Sequence, residues 1–246
     1  MDRVHAGLQR RLEHLCWPSG MVPDLVRSAH IITYERGTTI FHAGEPADLL
    51  YLIVSGEVKL YYGNAEGERL LVTIARDGDV VGSMRVHPAS ANEGQAAQFF
   101  TAQALSRCRV AIITNERLAR AARGLSAQEL LKLVECVNGE WERFCKRFLS
   151  FLMMDVGGRL RCAITEVADT FGIADPRGKL IPLRLSHEDF GELIGASRPM
   201  VSKHLKELAQ AGVFYKQDGR YIFSTDTARR PRSVRPQGKR APAAAA

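Results

Sequence analysis

Residues 186–213, SHEDFGELIGASRPMVSKHLKELAQAGV, can bury their apolar side chains only as two short helices meeting at a tight corner. Ser186 is placed to cap the first helix, with Asp189 in the reciprocal capping position and Glu188 also at the positive end of the helix dipole. Phe190, Leu193 and Ile194 recur at helical spacing and face a core, and Gly195 ends the helix. Ser197 is placed to cap the second helix, Pro199 sits in its first turn, where a missing amide proton costs little, and Val201, Leu205 and Leu208 form its buried stripe. Pro199, Ser202, Lys203 and Lys206 then point away from that stripe, with Arg198 flanking them at the leading turn.

A short helix that leads with an arginine and carries lysines on its free face suits the major groove of DNA. Arginine can donate two parallel hydrogen bonds to guanine O6 and N7, and Lys203 or Lys206 can reach a base or a phosphate. Ser202 and His204 can add hydrogen bonds to bases or backbone. An ordinary helical hairpin with solvated lysines fits the same segment. The stretch that follows argues against it: VFYKQDGRYIF (213–223) alternates and turns at Asp218-Gly219, a strong hairpin signal. Two helices followed directly by a hairpin make a winged helix.

The N-terminal half reads as short strands between glycine turns. Ile40-Phe41, Leu49 to Val54, Val58 to Tyr62, Leu70 to Ile74 and Val80-Val81 are separated by turns at Ala43 to Pro46, Ser55-Gly56, Gly63 to Gly67 and Asp77 to Asp79. This spacing predicts a jelly-roll or β-roll. Between the halves, Ser126 and Glu129 form a capping-box pair. Leu130, Leu133, Val134, Val137, Trp141, Phe144, Cys145, Phe148, Leu149 and Leu152 then recur every three or four residues. A seam this long suits pairing with its own copy, with packing inside one chain as the alternative. Gly157-Gly158 reads as a hinge, and Leu160, Ile164, Val167, Ala168 and Phe171 as a helix supporting the winged helix. The fold class is therefore α+β. Residues 1–124 are a β-roll with an N-terminal helical extension, 125–155 a dimerisation helix, 156–228 a winged helix-turn-helix domain, and 229–246 a disordered basic tail.

In this order, over roughly residues 24–226, the elements resemble the Crp/Fnr transcription regulators. The resemblance implies that Arg198 occupies the guanine-reading position and Lys203 a second base-reading one. The glutamate common after the first arginine is replaced by Pro199, which cannot accept a hydrogen bond from cytosine N4, so the target should differ there. The expected DNA-binding set is Ser197, Arg198, Pro199, Ser202, Lys203, His204 and Lys206. The expected dimer interface is Leu133, Val137, Trp141, Phe144 and Phe148.

The resemblance also makes the first domain a cyclic-nucleotide-binding roll whose loop after Gly78–Gly82 would cradle the nucleotide. Such a site needs an acceptor for the ribose hydroxyl and a cation for the phosphate. Ser83 stands at the glutamate position, and Gln98 and Phe99 at those of the arginine and its hydroxyl neighbour, so ordinary cyclic AMP control is not expected. Ser83, Arg85, Gln98 and Phe99 are the candidate effector contacts, with Phe99-Phe100 either filling the roll or lining a site. Two modes of control stay open: effector-independent binding, or gating by another nucleotide, a metabolite or a haem-bound gas. A lone His87 supplies no axial pair for haem, and Cys16 alone cannot hold the iron-sulfur cluster of Fnr-like relatives.

The five cysteines are scattered and suit neither a thiolate metal site nor a disulfide framework. No nucleophile elbow, phosphate loop, zinc-protease motif or clustered acid pair is present, so an enzyme is not expected. No cofactor and no metal site are expected. The net charge of +7 comes largely from the arginine-rich tail, leaving the winged helix balanced. Without a membrane-length apolar run or the apolar core of a signal peptide, a cytoplasmic location is expected. The expected partners are double-stranded DNA carrying a near-palindrome, a second copy of the chain and RNA polymerase. A small-molecule effector is left open, and no membrane is involved.

Overall fold

A computed structural model describes residues 18, 21, 25, 29–82, 97–217 and 219–224. Ser83, Arg85, His87, Cys16 and the tail lie outside these residues.

The N-terminal half contains strands β1 (His30–Tyr34), β2 (Thr39–Phe41), β3 (Leu49–Ser55), β4 (Val58–Gly63), β5 (Arg69–Ala75), β6 (Val80–Val81), β7 (Thr101–Ala104) and β8 (Cys108–Thr114). They form two four-stranded antiparallel sheets, ordered β1-β8-β3-β6 and β2-β7-β4-β5. The inner faces meet in a core of Phe41, Tyr51, Ile53, Val58, Ala102 and Val110. The other face of the first sheet is also covered, because Leu50, Leu52 and Ile113 pack against Met21, Leu25 and Leu118. Burial on both faces explains why β3 reads LLYLIV without polar alternation. Leu118 belongs to α1 (Asn115–Ala122), whose cap Thr114 accepts from the Arg117 amide.

The long helix α2 (Ala127–Met153) begins at the expected capping box of Ser126 and Glu129. It runs through Gly139 without a break. Asp155 caps α3 (Val156–Phe171) by accepting from the Gly158 amide. The expected glycine hinge is corrected here: Gly157 and Gly158 lie inside the first turn of α3, and the non-helical link between α2 and α3 is the extended pair Met154-Asp155. The glycines make room instead. A Cβ on Gly157 would lie 3.3 Å from His204 Nδ1, and one on Gly158 would lie 3.1 Å from Met154 Cβ.

The C-terminal half continues with β9 (Ile173–Asp175), β10 (Gly178–Ile181), α4 (His187–Ile194), α5 (Arg198–Gln210), β11 (Phe214–Gln217) and β12 (Arg220–Phe223). The expected hairpin is β11–β12, and it extends into a four-stranded sheet ordered β11-β12-β10-β9. Phe190 is fully buried at the centre, edge-on to Tyr221 at 5.6 Å and to Phe214 at 6.3 Å.

The core of this half does not stop at the domain boundary. Leu71 and Ile74 of β5 join Leu160, Phe190 and Leu193 in one cluster, so the β4–β5 hairpin is docked on α3 and α4. Lys59, projecting outward from β4, forms an ion pair with Asp189, which is only 6% exposed. Burial pushes the Asp189 carboxyl up. The Lys59 ammonium and the amide and hydroxyl of Ser186 outweigh it and hold the group below its ordinary value. Hydrogen bonds to charged groups contribute about 1.5–3 kcal/mol, so Lys59→Met should destabilise the docked arrangement by that order in urea unfolding at neutral pH. A depressed folded pKa contributes stability that is complete once the unfolded carboxylate is ionised, above about pH 4, and is lost as pH falls through the lower folded value. Parent and variant should therefore converge in acid.

Among the described residues Cys108, Cys145 and Cys162 carry free thiols. Burial pushes Cys108 up to about 11, so it stays protonated. No described helix is long and apolar enough to cross a membrane.

Candidate nucleic-acid interface

Helices α4 and α5 are positioned by their own short-range chemistry. Ser186 Oγ accepts from the Asp189 amide, and the Asp189 carboxylate accepts from the Ser186 amide at 2.7 Å, which completes the expected capping box. The helix ends at Gly195 in the left-handed region, φ 60°, a conformation costing a residue with a Cβ about 1–2 kcal/mol. Close approach at the corner is secured by Gly191, where a Cβ would stand 2.6 Å from the Ala196 carbonyl oxygen. Ser197 takes the extended cap conformation but makes no side-chain capping bond, so the expected cap exists in backbone only.

Val201, Leu205 and Leu208 are buried beneath α5 as the periodicity predicts. Ser197, Arg198, Pro199, Lys203 and Lys206 are exposed. Ser202 and His204 differ, each being half-buried and already bonded within the chain. Ser202 Oγ donates to the Arg198 carbonyl at 2.9 Å and lies 2.7 Å from His187 Nδ1. The hydroxyl has one proton, so His187 Nδ1 carries the other and donates to Ser202. Burial, then the charges of Lys216 and Arg198, hold His187 below its ordinary value, so the ring is neutral at pH 7. His204 Nδ1 lies 2.8 Å from Glu207 Oε2, and its ring packs over Gly157.

Three residues on this face had no distinct sequence signal. Met200 is exposed at the leading turn of α5, where an apolar side chain could meet a thymine methyl group. His187 leads α4, and Lys216 extends from β11 beside it.

Of the expected effector contacts, Gln98 and Phe99 lie among the described residues. Gln98 is buried, and its Nε2 donates to the Leu49 carbonyl at 3.4 Å. Phe99 is 65% exposed and stacks on Tyr62 at 5.6 Å, so it does not fill the interior, whereas Phe100 packs on the inter-sheet core. Along α2, Val137, Trp141, Phe144 and Phe148 are exposed, with Trp141, Phe144 and Phe148 stacked in a row at 5.6 and 6.3 Å. Leu133 stands apart from them, packed against the cluster around Leu118.

The winged helix beside a two-sheet domain is matched at both ends of the chain. Residues 31–124 match the cyclic nucleotide-binding domain, and residues 147–229 match the Crp-like helix-turn-helix domain. The global nitrogen regulator of Synechococcus elongatus is 30% identical over 185 residues, 72% of this chain and 78% of its own. The chain belongs to the Crp/Fnr family. The CRP-like cAMP-activated global transcriptional regulator of Mycobacterium tuberculosis is 27% identical over 237 residues, 96% of this chain and all of its own. The solved structure of the c-di-GMP responsive global regulator CLP of Xanthomonas campestris has the same fold. Its TM-score is 0.67 at 19% identity, covering 84% of this chain and 99% of that one. As a Crp/Fnr member the protein is a sequence-specific DNA-binding transcription regulator of dimeric architecture, and not an enzyme.

Proposed function

We propose that α5 enters the major groove and reads sequence with Arg198 and Lys203, while Ser197, Pro199 and Lys206 approach bases or phosphates at its exposed face. The observation that carries this reading is the split of α5 into a buried Val201–Leu205–Leu208 stripe and a free cationic face led by Arg198. Ser202 and His204 act there by holding the helix, through Arg198 and Glu207, more than by offering free donors. Arg198→Ala should remove about 1–3 kcal/mol of discrimination at one guanine in each half-site without changing the oligomer. Titration of matched and guanine-substituted duplexes measures it, and equal affinity of the parent protein for both would refute the role.

Two copies would join along α2 through Val137, Trp141, Phe144 and Phe148, with Leu133 at the margin, and present their α5 helices about 34 Å apart to a near-palindrome. The two sheets support the reading of residues 1–124 as a β-roll, followed by the helix of 125–155, the winged helix of 156–228 and a basic tail. The Mycobacterium relative is described as cAMP-activated. Here a neutral amide bonded to Leu49 and an outward phenyl ring stand where the resemblance calls for a cation and a hydroxyl, which favours a regulator that does not use ordinary cyclic AMP. Its working partners are DNA and, at promoters, RNA polymerase in the cytoplasm.

A further inference from the structure

A cavity of about 590 Å³ opens between α2, α3, the end of α4 and the β11–β12 hairpin, within the range of small-molecule sites. Its lining is mostly apolar, with Leu193, Val213 and Phe223, and includes the cations Lys146, Arg159 and Arg161. The acids nearby are already committed: Glu166 to Arg147, and Asp169 to Lys179 at 2.6 Å. Lys146, Arg159 and Arg161 make no ion pair among the described residues. Arg159 lies over the Phe151 ring, 5.3 Å from its centroid, and its buried Nε has no hydrogen-bond partner. An orphaned guanidinium N–H beside an apolar chamber is a strong site for an anion.

We propose that this cavity binds an amphiphilic anion, a carboxylate or phosphate monoester head on an aliphatic tail. The head pairs with Arg159 and Arg161, and the tail lies on Leu193 and Val213. None of the residues lining the cavity comes from the β-roll. At about 100° per residue, Lys146 and Ser150 project from the side of α2 opposite the Phe144–Phe148 row, and Ser150 is buried there while Phe148 is exposed. Phe151 also touches the helix-turn-helix corner, where a Cβ on Gly195 would meet its ring at 3.1 Å. On the groove-reading role of α5 given above, an occupant would bear on the orientation of that corner.

Calorimetric titration of the full-length protein with decanoate, decyl phosphate and decanol tests the site. The expected result is one saturable site per chain, at least about tenfold tighter for an anion than for decanol, and about tenfold weaker for octanoate than for decanoate. Whichever anion binds more tightly identifies the head group. Arg159→Gln should weaken the anion about tenfold or more, and the double variant Lys146→Gln/Arg161→Gln, where folding is not at stake, should also weaken it. No saturable binding, equal affinity for decanol, or affinity unchanged in both variants would overturn the proposal. So would loss of binding in Phe144→Glu alone, which would assign the amphiphile to the seam of α2. DNA selection without any amphiphile is measured separately, so failure here leaves the reading of α5 untouched.

Discussion

Phe144→Glu is expected to convert the protein from dimer to monomer at micromolar concentration and to abolish tight DNA binding with it. Trp141, Phe144 and Phe148 stack in a row on an exposed helix face, and Phe144 is at its middle. Burying a phenylalanine contributes about 1.5–3 kcal/mol, and a twofold seam contains each residue twice. Burying an unpaired carboxylate in its place adds a further penalty. A combined loss of about 6 kcal/mol corresponds to roughly four orders of magnitude in the dimer dissociation constant. Sedimentation equilibrium reads this directly, and an unchanged dimer would place Phe144 outside the seam.

Phe190→Ala should have an effect of similar size on a different property. Its ring is fully buried edge-on against the stacked pair of Phe214 and Tyr221, and cavities of that kind cost about 3–5 kcal/mol. The same ring helps hold α4 against β5 through the cluster containing Leu71 and Ile74. The variant should remain dimeric, because the seam on α2 is untouched, yet lose DNA affinity as the winged helix loosens. Urea unfolding followed by tyrosine fluorescence would show an early transition in the variant. Parent-like stability would mean that the site collapses around the missing ring.

The contrast between these residues reflects what local sequence carries. The capping boxes at Ser126 and Ser186, the left-handed Gly195, the α5 stripe and the long α2 are all specified within about a turn or two of themselves, and each was legible. The β9–β10 hairpin was not, because its strands are three and four residues long and only Ile181 is buried, so no alternation develops. Lys59 and Asp189 are 130 residues apart, and nothing near either announces the other. Helical periodicity placed Ser202 correctly on α5, but its engagement with His187 depends on how α4 crosses it. Gly157 and Gly158 read as a hinge because two glycines in sequence suggest freedom. Their purpose is set instead by His204 and Met154, which need the space. Leu133 has the spacing of the seam yet lies beside the N-terminal domain, a distinction that periodicity alone does not make.

Selection of random duplexes by the purified, ligand-free protein at near-physiological salt tests whether α5 reads DNA from a twofold dimer without a ligand. The expected result is enrichment of a palindrome with two half-sites centred about one helical turn apart, each containing a guanine whose selection disappears in Arg198→Ala. A folded dimer that enriches no sequence, or one that enriches a single asymmetric element indifferent to Arg198, would contradict it.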